Sequence, residues 1–336
     1  MSEEAKLPVL KASLKEVKLS VPCYPDFTPL EINLKDDLHP RLSLTFDGVS
    51  EFTFSGLYLF RKKYNYRISR NGPDGGFIIS GEQNGKTFFM TPCAAPDQET
   101  LSSLFATHDY WKNISETVLK QFFPALQMTK WSEGINSIIE KIQEKGIFIE
   151  EDRDNFDYLY YRNELAELAG KKFHKKKNHV NNFLTAYPDY EQKPMSKELI
   201  PAAMEILEKW RGDLLNRNSA SGEGDYKAAK EALDLFDFLT LKGSVFFISG
   251  KPAAYCLGES LCRGKMFAIH FEKAVEEYRG IYQFINQSFA ASLPRFFTLI
   301  NREQDLGNEG LRQAKMTYRP CAFVQKYKGY KAEREL

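Results

Sequence analysis

Lys265–Lys315, KMFAIHFEKAVEEYRGIYQFINQSFAASLPRFFTLINREQDLGNEGLRQAK, is the stretch whose reading decides the fold. Met266–Glu272 alternates in the manner of a strand, and Tyr278–Ala291 carries Ile281, Ile285 and Phe289 at helical spacing. Phe296–Asn301 predicts a second strand. Asn308–Tyr318 predicts a second helix, with Asn308 as its N-cap after the helix-stopping Gly307. This pattern puts His270, Glu272 and Lys273 at the end of one strand, and Asn301, Arg302, Glu303 and Asp305 at the end of the next. In open α/β sheets, strand ends are where ligands bind.

Upstream of this stretch, Asp189–Lys193 predicts a short strand, Ser196–Arg211 and Tyr226–Leu239 helices, and Val245–Ser249 and Pro252–Glu259 two strands that make three successive antiparallel strands with the one at Met266. A last strand is expected at Ala322–Tyr327. The first half repeats this order loosely. Leu42–Phe46 reads as a strand, Ser50–Lys63 as a helix facing inward with Phe54, Leu57 and Phe60, and Tyr66–Ser69, Gly76–Ser80 and Thr87–Met90 as a three-stranded meander. Asn84-Gly85 between the last two strands is a type I′ hairpin signal. The loop Asn71–Gly76 joins two strands and opens no helix, so it lacks the helix N-terminus that would attract a phosphate. Asp97–Ala106, Ser115–Gln127 and Ser132–Lys145 read as helices, the last closed by Gly146, with a strand at His108–Lys112. Residues 1–40 read as a lead-in with at most a short strand. Ile147–Tyr161, IFIEEDRDNFDYLYY, reads as one aromatic strand whose end divides the chain into units 1–161 and 162–336.

Composition sets the outer limits. A chain of 336 residues is long enough for two ordinary domains, and 43% hydrophobic with 27% charged residues is a globular balance. With 46 basic and 45 acidic side chains, polyanion binding must come from a local cluster. Five cysteines without CxxC spacing suit a reducing cytoplasm, and no pattern calls for a metal or a cofactor. No apolar run is long enough to span a bilayer, so membrane contact is expected to be peripheral.

The local cluster is KKFHKKKNH, inside a helix or helix pair at Asn163–Tyr187 broken near Gly170. Lys172, Lys175, Lys176 and His179 recur at spacings of three and four and are expected to share one face, opposite Phe173, Val180 and Phe183. A solvated helix face is one reading. A contact for phosphates, such as those of tRNA, is the other.

The element order is similar to the GNAT acyltransferase fold. More specifically, RDNFDYLY with GKKFHKKKNHVNNF (Arg153–Tyr160, Gly170–Phe183), IHFEKAVEEYRGIYQFIN (Ile269–Asn286) and INREQDLGNEGLRQAKMTYRP (Ile300–Pro320) resemble a soluble bacterial family related to the C-terminal domain of phosphatidylglycerol lysyltransferase. The resemblance implies an α/β (α+β) architecture of two tandem GNAT-like domains, each a mixed, mostly antiparallel sheet flanked by helices. It also implies transfer of an aminoacyl group from a charged tRNA to a lipid headgroup. Acetyl-CoA-using GNAT proteins carry an Arg/Gln-x-x-Gly-x-Gly/Ala turn after the fourth strand. Here the turn is Glu277-Tyr278-Arg279-Gly280-Ile281-Tyr282, where Glu277 and Tyr282 oppose a pyrophosphate by charge and bulk.

Transfer of this kind needs a base and an oxyanion donor. Glu272, Glu303 and Asp305 are candidates for base or amine recognition. Arg302, Lys273 and Arg279 are candidates for oxyanion or phosphate contacts, with His270, Gly280 and Asn301 beside them as substrate-binding positions. Two alternatives stay open: a CoA-dependent N-acyltransferase, and a binding or regulatory module whose strand-end charges are only ion pairs, Glu272 with Lys273 and Arg302 with Asp305.

Overall fold

The computed structural model describes residues 20–72, 76–92, 94–121, scattered positions between 135 and 143, 146–216 and 222–331. Most of the helix expected at Ser132–Lys145, the end of the one expected at Ser115–Gln127, the first 19 residues of the lead-in, the centre of the Asn71–Gly76 loop and Cys93 lie outside the described residues.

In the first half the elements are β1 (Thr28–Pro29), α1 (Lys35–Leu42), α2 (Phe54–Tyr64), β2 (Arg67–Arg70), β3 (Phe77–Gln83), β4 (Lys86–Met90), α3 (Gln98–Thr107), β5 (Tyr110–Ser115), α4 (Glu116–Gln121) and β6 (Ile147–Glu151). After these come β7 (Asp157–Tyr161), α5 (Arg162–Glu167), α6 (His174–Ala186), β8 (Tyr190–Pro194), α7 (Ile200–Asn216), α8 (Glu223–Asp234) and α9 (Phe236–Leu239). The chain closes with β9 (Lys242–Ile248), β10 (Lys251–Leu261), β11 (Met266–Ala274), α10 (Ile281–Ser292), β12 (Leu299–Asn301), α11 (Glu309–Met316), β13 (Ala322–Val324) and β14 (Lys326–Lys331).

Two seven-stranded sheets result, ordered β1-β2-β3-β4-β5-β14-β6 and β13-β7-β12-β11-β10-β9-β8. Each is mixed and mostly antiparallel, and among the described residues its parallel pair is β4 with β5 or β11 with β12. This is the tandem GNAT-like arrangement. Read from β1 and from β8, the two sheets have the same sequence of parallel and antiparallel neighbours, with one exchange. β7 leaves the first half to pair with β12 and β13, and β14 returns from the end of the chain to sit between β5 and β6. The sheets therefore trade strands across the 161/162 position.

Local chemistry explains most elements. Thr53 and Asp97 cap α2 and α3 by accepting from Gly56 N and Thr100 N. Asn84 and Gly85 both have positive φ, 53° and 75°, as a type I′ hairpin needs. Side chains of both sheets, including Phe88, Met90, Tyr255 and Phe271, share one core with α2, α7 and α8. A second core under α6 and α10 covers the other face of the second sheet, and a third under α3 and α4 covers the first.

Three expectations are corrected. Leu42–Phe46 is not a strand: Leu42 ends α1 and is buried with Leu38 one helical turn earlier, while Leu44 and Phe46 are exposed on the turn that follows. The supposed lead-in thus holds a helix. Ile147–Tyr161 is two strands, split by a 3-10 turn at Arg153–Asn155 that sends β6 and β7 to different sheets. Ala322–Tyr327 is likewise divided, at Gln325, between β13 and β14.

Candidate functional site

β11 pairs with β12 only over Met266–Ala268, so beyond Ala268 the two strands separate and leave a gap. On its other side, β11 pairs Ile269 with Gly258 and Phe271 with Leu257, which leaves His270 as the extra residue of a β-bulge. A bulge re-aims side chains. His270 and Glu272 consequently serve two separate clusters.

His270 is buried between two carboxylates, with Nδ1 2.6 Å from Glu303 Oε1 and Nε2 3.0 Å from Glu259 Oε1. Burial alone would push its pKa down, but the hydrogen bonds and charges of Glu259 and Glu303 override it and raise the value to about 10. His270 is an imidazolium at neutral pH. Glu303 is the more exposed of the two carboxylates, 27% against 6%. It has left-handed backbone, φ 57°, held by Asn301 Oδ1, which accepts from Glu303 N at 2.7 Å.

The second cluster faces α10. Arg302 Nη2 donates to Glu272 Oε2 at 2.6 Å, and the Asn286 amide oxygen, turned toward the guanidinium, accepts from Nε and Nη1 at 3.2 and 3.0 Å. Burial would lower the Arg302 pKa, yet the Glu272 charge raises it, so the guanidinium stays ionised. Glu272 Oε1 is buried and has no hydrogen-bond partner among the described residues. An unsatisfied buried carboxylate oxygen is costly and marks a place for a donor.

The remaining strand-end residues are engaged elsewhere. Asp305, expected among the catalytic groups, accepts from Tyr158 Oη (2.5 Å), from Arg312 through both oxygens and from Gly307 N; burial would raise its pKa, but these donors bring it to about 2. Its partner is Arg312, not Arg302. Lys273 pairs with Asp225 and lies over the Trp210 ring at 3.5 Å, on the central-core face rather than in the gap. Lys315 donates to the carbonyls of Arg302, Glu303 and Gln304, clamping the loop after β12.

Asn301 is fully buried and joins a network that sequence reading did not anticipate. Its Nδ2 donates to Gly48 O and to Asp157 Oδ2. Asp157 also accepts from Ser50 N, Ser50 Oγ and Lys326 Nζ, and Lys326 reaches Glu51 as well. Burial pushes the Asp157 pKa up to about 6 against the opposing Lys326 charge. Glu259, Asp157 and Lys326 were missed; Glu259 and Asp157 are each an acid beside a run of apolar or aromatic strand residues, the signal that could have found them, whereas Lys326 is one of three lysines in β14.

A cleft of about 380 Å³ lies between α6 and the start of α10, lined by His179, Asn182, Ala186, Tyr187, Arg279 and Gly280. Gly280 has φ 90°, and a Cβ there would meet His179 O at 3.3 Å. The basic cluster does not share one face. Lys175 and His179 are exposed, whereas Lys176 leans over the Tyr318 ring at 4.2 Å and Lys172 pairs with Glu164. Burial and the charge of Arg302 lower the Lys176 pKa. The reason is helical phase: Lys176 falls beside Val180 and Phe183, which are buried.

A family model for the C-terminal region of phosphatidylglycerol lysyltransferase matches residues 44–330. The chain belongs to this family. The chain is similar in fold to the solved structure of a putative lysylphosphatidylglycerol synthetase C-terminal domain from Agrobacterium fabrum, with a TM-score of 0.55 at 14% identity, covering 90% of this chain and 93% of that one. A conserved protein of unknown function from Bacteroides thetaiotaomicron is similar at 26% identity with a TM-score of 0.77, covering 91% of this chain and 99% of that one. An uncharacterised protein of Mycoplasmoides gallisepticum is 24% identical over 173 residues, 51% of this chain, and the match spans only 54% of that relative's length. The family assignment fits the GNAT-like acyltransferase fold with its parted parallel strands. Among the described residues no helix is long and apolar enough to cross a membrane.

Proposed function

We propose that the chain is an aminoacyl-tRNA-dependent acyltransferase that passes an aminoacyl group to a lipid headgroup or to another amine or hydroxyl acceptor. The observation that carries this reading is the buried Glu272 Oε1 in the Arg302 cluster, which has no hydrogen-bond partner among the described residues. The α-ammonium of an aminoacyl ester would complete that oxygen, whereas the methyl of an acetyl group would leave it orphaned at a cost of about 1–3 kcal/mol. Arg302 holds the other oxygen of Glu272 at 2.6 Å and so orients the carboxylate for this contact. Glu303, partly exposed and steered by the His270 imidazolium, is placed to take the proton of the attacking hydroxyl or amine and return it to the departing ribose oxygen. The cleft with His179, Arg279 and Gly280, flanked by Lys175, supports a phosphate-bearing donor. The free thiols at Cys23, Cys256, Cys262 and Cys321 agree with a cytoplasmic setting.

The test is incubation with labelled aminoacyl-tRNA and phosphatidylglycerol vesicles, beside a thermal shift with acetyl-CoA. Wild type is expected to retain tRNA at low salt and yield labelled product. Glu272→Gln should lower transfer by about 10- to 100-fold, the range of one charge-assisted hydrogen bond; because it also takes the carboxylate from the buried Arg302 guanidinium, its melting is expected to fall as well, and transfer is compared below the variant's own transition. Absence of both tRNA retention and product sinks the reading, and a shift with acetyl-CoA moves it to CoA-dependent transfer.

A further inference from the structure

At the opposite end of the second sheet, around the start of β11 and the end of β7, four short segments come together. The backbone N–H of Arg263 donates to Ser43 O and its Nε to Leu44 O at 3.4 Å, and the Cys262 thiol donates to Phe46 O at 3.7 Å. Thr298 N donates to Lys265 O, Arg162 N donates to Thr298 O, and Tyr161 pairs with Leu299. These bonds make one continuous surface of residues 43–48, 260–265, 294–298 and 161–162.

Large apolar side chains are concentrated there without cover. Leu44, Phe46, Phe296 and Tyr161 are 52%, 61%, 62% and 50% exposed. The same segments carry four cations, Arg162, Arg263, Lys265 and Arg295, and a single acid, Asp47, whose carboxylate accepts from Ser115 Oγ. Arg263 lies over the Phe46 ring at 4.2 Å, so charge and aromatic surface are presented together.

We propose that this face docks on an anionic lipid surface, with Leu44, Phe46 and Phe296 entering the interface and Arg263, Lys265 and Arg295 meeting the headgroups. Aromatic side chains flanked by Arg and Lys are suited to the water–hydrocarbon boundary, where the cations find anionic headgroups. Charge complementarity selects this occupant over a second copy of the chain, because a two-fold interface would pack this cation-rich patch against another of the same sign, with one acid, Asp47, in each to offset it. The inference goes beyond the transfer reading and does not depend on it: Met266 and Glu272 are six residues apart on one strand, about 20 Å, and vesicle binding can be measured without any donor or product.

The experiment is flotation of the full chain with vesicles of phosphatidylglycerol and phosphatidylcholine in equal amounts, and with phosphatidylcholine alone. Wild type is expected to float with the mixed vesicles and to be released by salt. Arg263→Glu with Lys265→Glu should lower partitioning by at least about 25-fold, and Phe46→Ser with Phe296→Ser by about tenfold or more, both with wild-type melting because these side chains are exposed. Phe238→Ser, on the exposed face of α9, should change nothing. Wild type that fails to float, patch variants that float like wild type, or a concentration-dependent dimer that the patch variants abolish would each overturn the proposal.

Discussion

Replacing Lys326 by methionine tests the buried network that ties the two sheets together. Lys326 and Asp157 are both 0% exposed and 2.8 Å apart, and Glu51 is the second carboxylate on the same ammonium. The substitution keeps the bulk of the stem and leaves Asp157 with three hydrogen-bond donors but without its cation. Removing one partner of a buried ion pair costs about 3–5 kcal/mol. For 336 residues, an unfolding entropy of about 2.1 cal/mol/K per residue gives about 0.7 kcal/mol/K, so Tm should fall by about 4–7 °C at pH 8. The pH dependence carries the sharper sign. Burial already raises Asp157 to about 6 with Lys326 present, and without it the value rises further. A carboxyl raised in the folded state leaves stability intact while both states are protonated, and stability is lost as pH climbs from the unfolded value, about 3.9, through the folded one. The deficit of Lys326→Met should therefore shrink as pH is lowered from about 8 to about 5, and Asp157→Asn in that background should recover part of it. Scanning calorimetry across this range measures both. A Tm within about 1 °C of wild type, or a deficit that does not shrink toward acid, would refute the argument.

Two further outcomes are expected. His270, raised to about 10 by Glu259 and Glu303, contributes stability that is complete below about pH 6.5, the unfolded value, and is lost as pH rises toward 10; its ring should titrate there by NMR, and His270→Gln should flatten that alkaline loss. Gly280→Ala should cost about 1 kcal/mol or more in urea unfolding, because φ 90° disfavours a side chain and its Cβ meets His179 O, and it should weaken tRNA retention by narrowing the cleft.

Much of the fold was legible because local signals and tertiary structure agree. The Asn84-Gly85 hairpin, the strand at Met266 and the Asn308 cap, which accepts from Leu311 N at 2.9 Å, need only near neighbours to be specified. The strand exchange was not legible. Ile147–Tyr161 and Ala322–Tyr327 each read as one aromatic run, and the turn that splits them is decided by pairing partners more than a hundred residues away. The candidate site was legible as a neighbourhood and not as a set of roles. His270, Glu272, Arg302 and Glu303 do gather at the gap, whereas the bulge at His270 changes which side chains face together, so Glu259 could not be paired with it from spacing. Asp305 and Lys273 found other partners because α11 and α8 bring Arg312 and Asp225 to them.

The exchange of β7 and β14 has a consequence in time. As the chain is synthesised from its N-terminus, β5 and β6 appear before residue 200, yet the strand that belongs between them is 326–331. Until it arrives, β5 lacks a neighbour on one side and β6 has no strand to pair with, so two unsatisfied edges stay open. The second sheet, by contrast, already has β7 in hand when β12 emerges. The second sheet can therefore pair from β8 through β7, lacking its edge strand β13, before the first sheet is complete, the reverse of the usual order along a nascent chain.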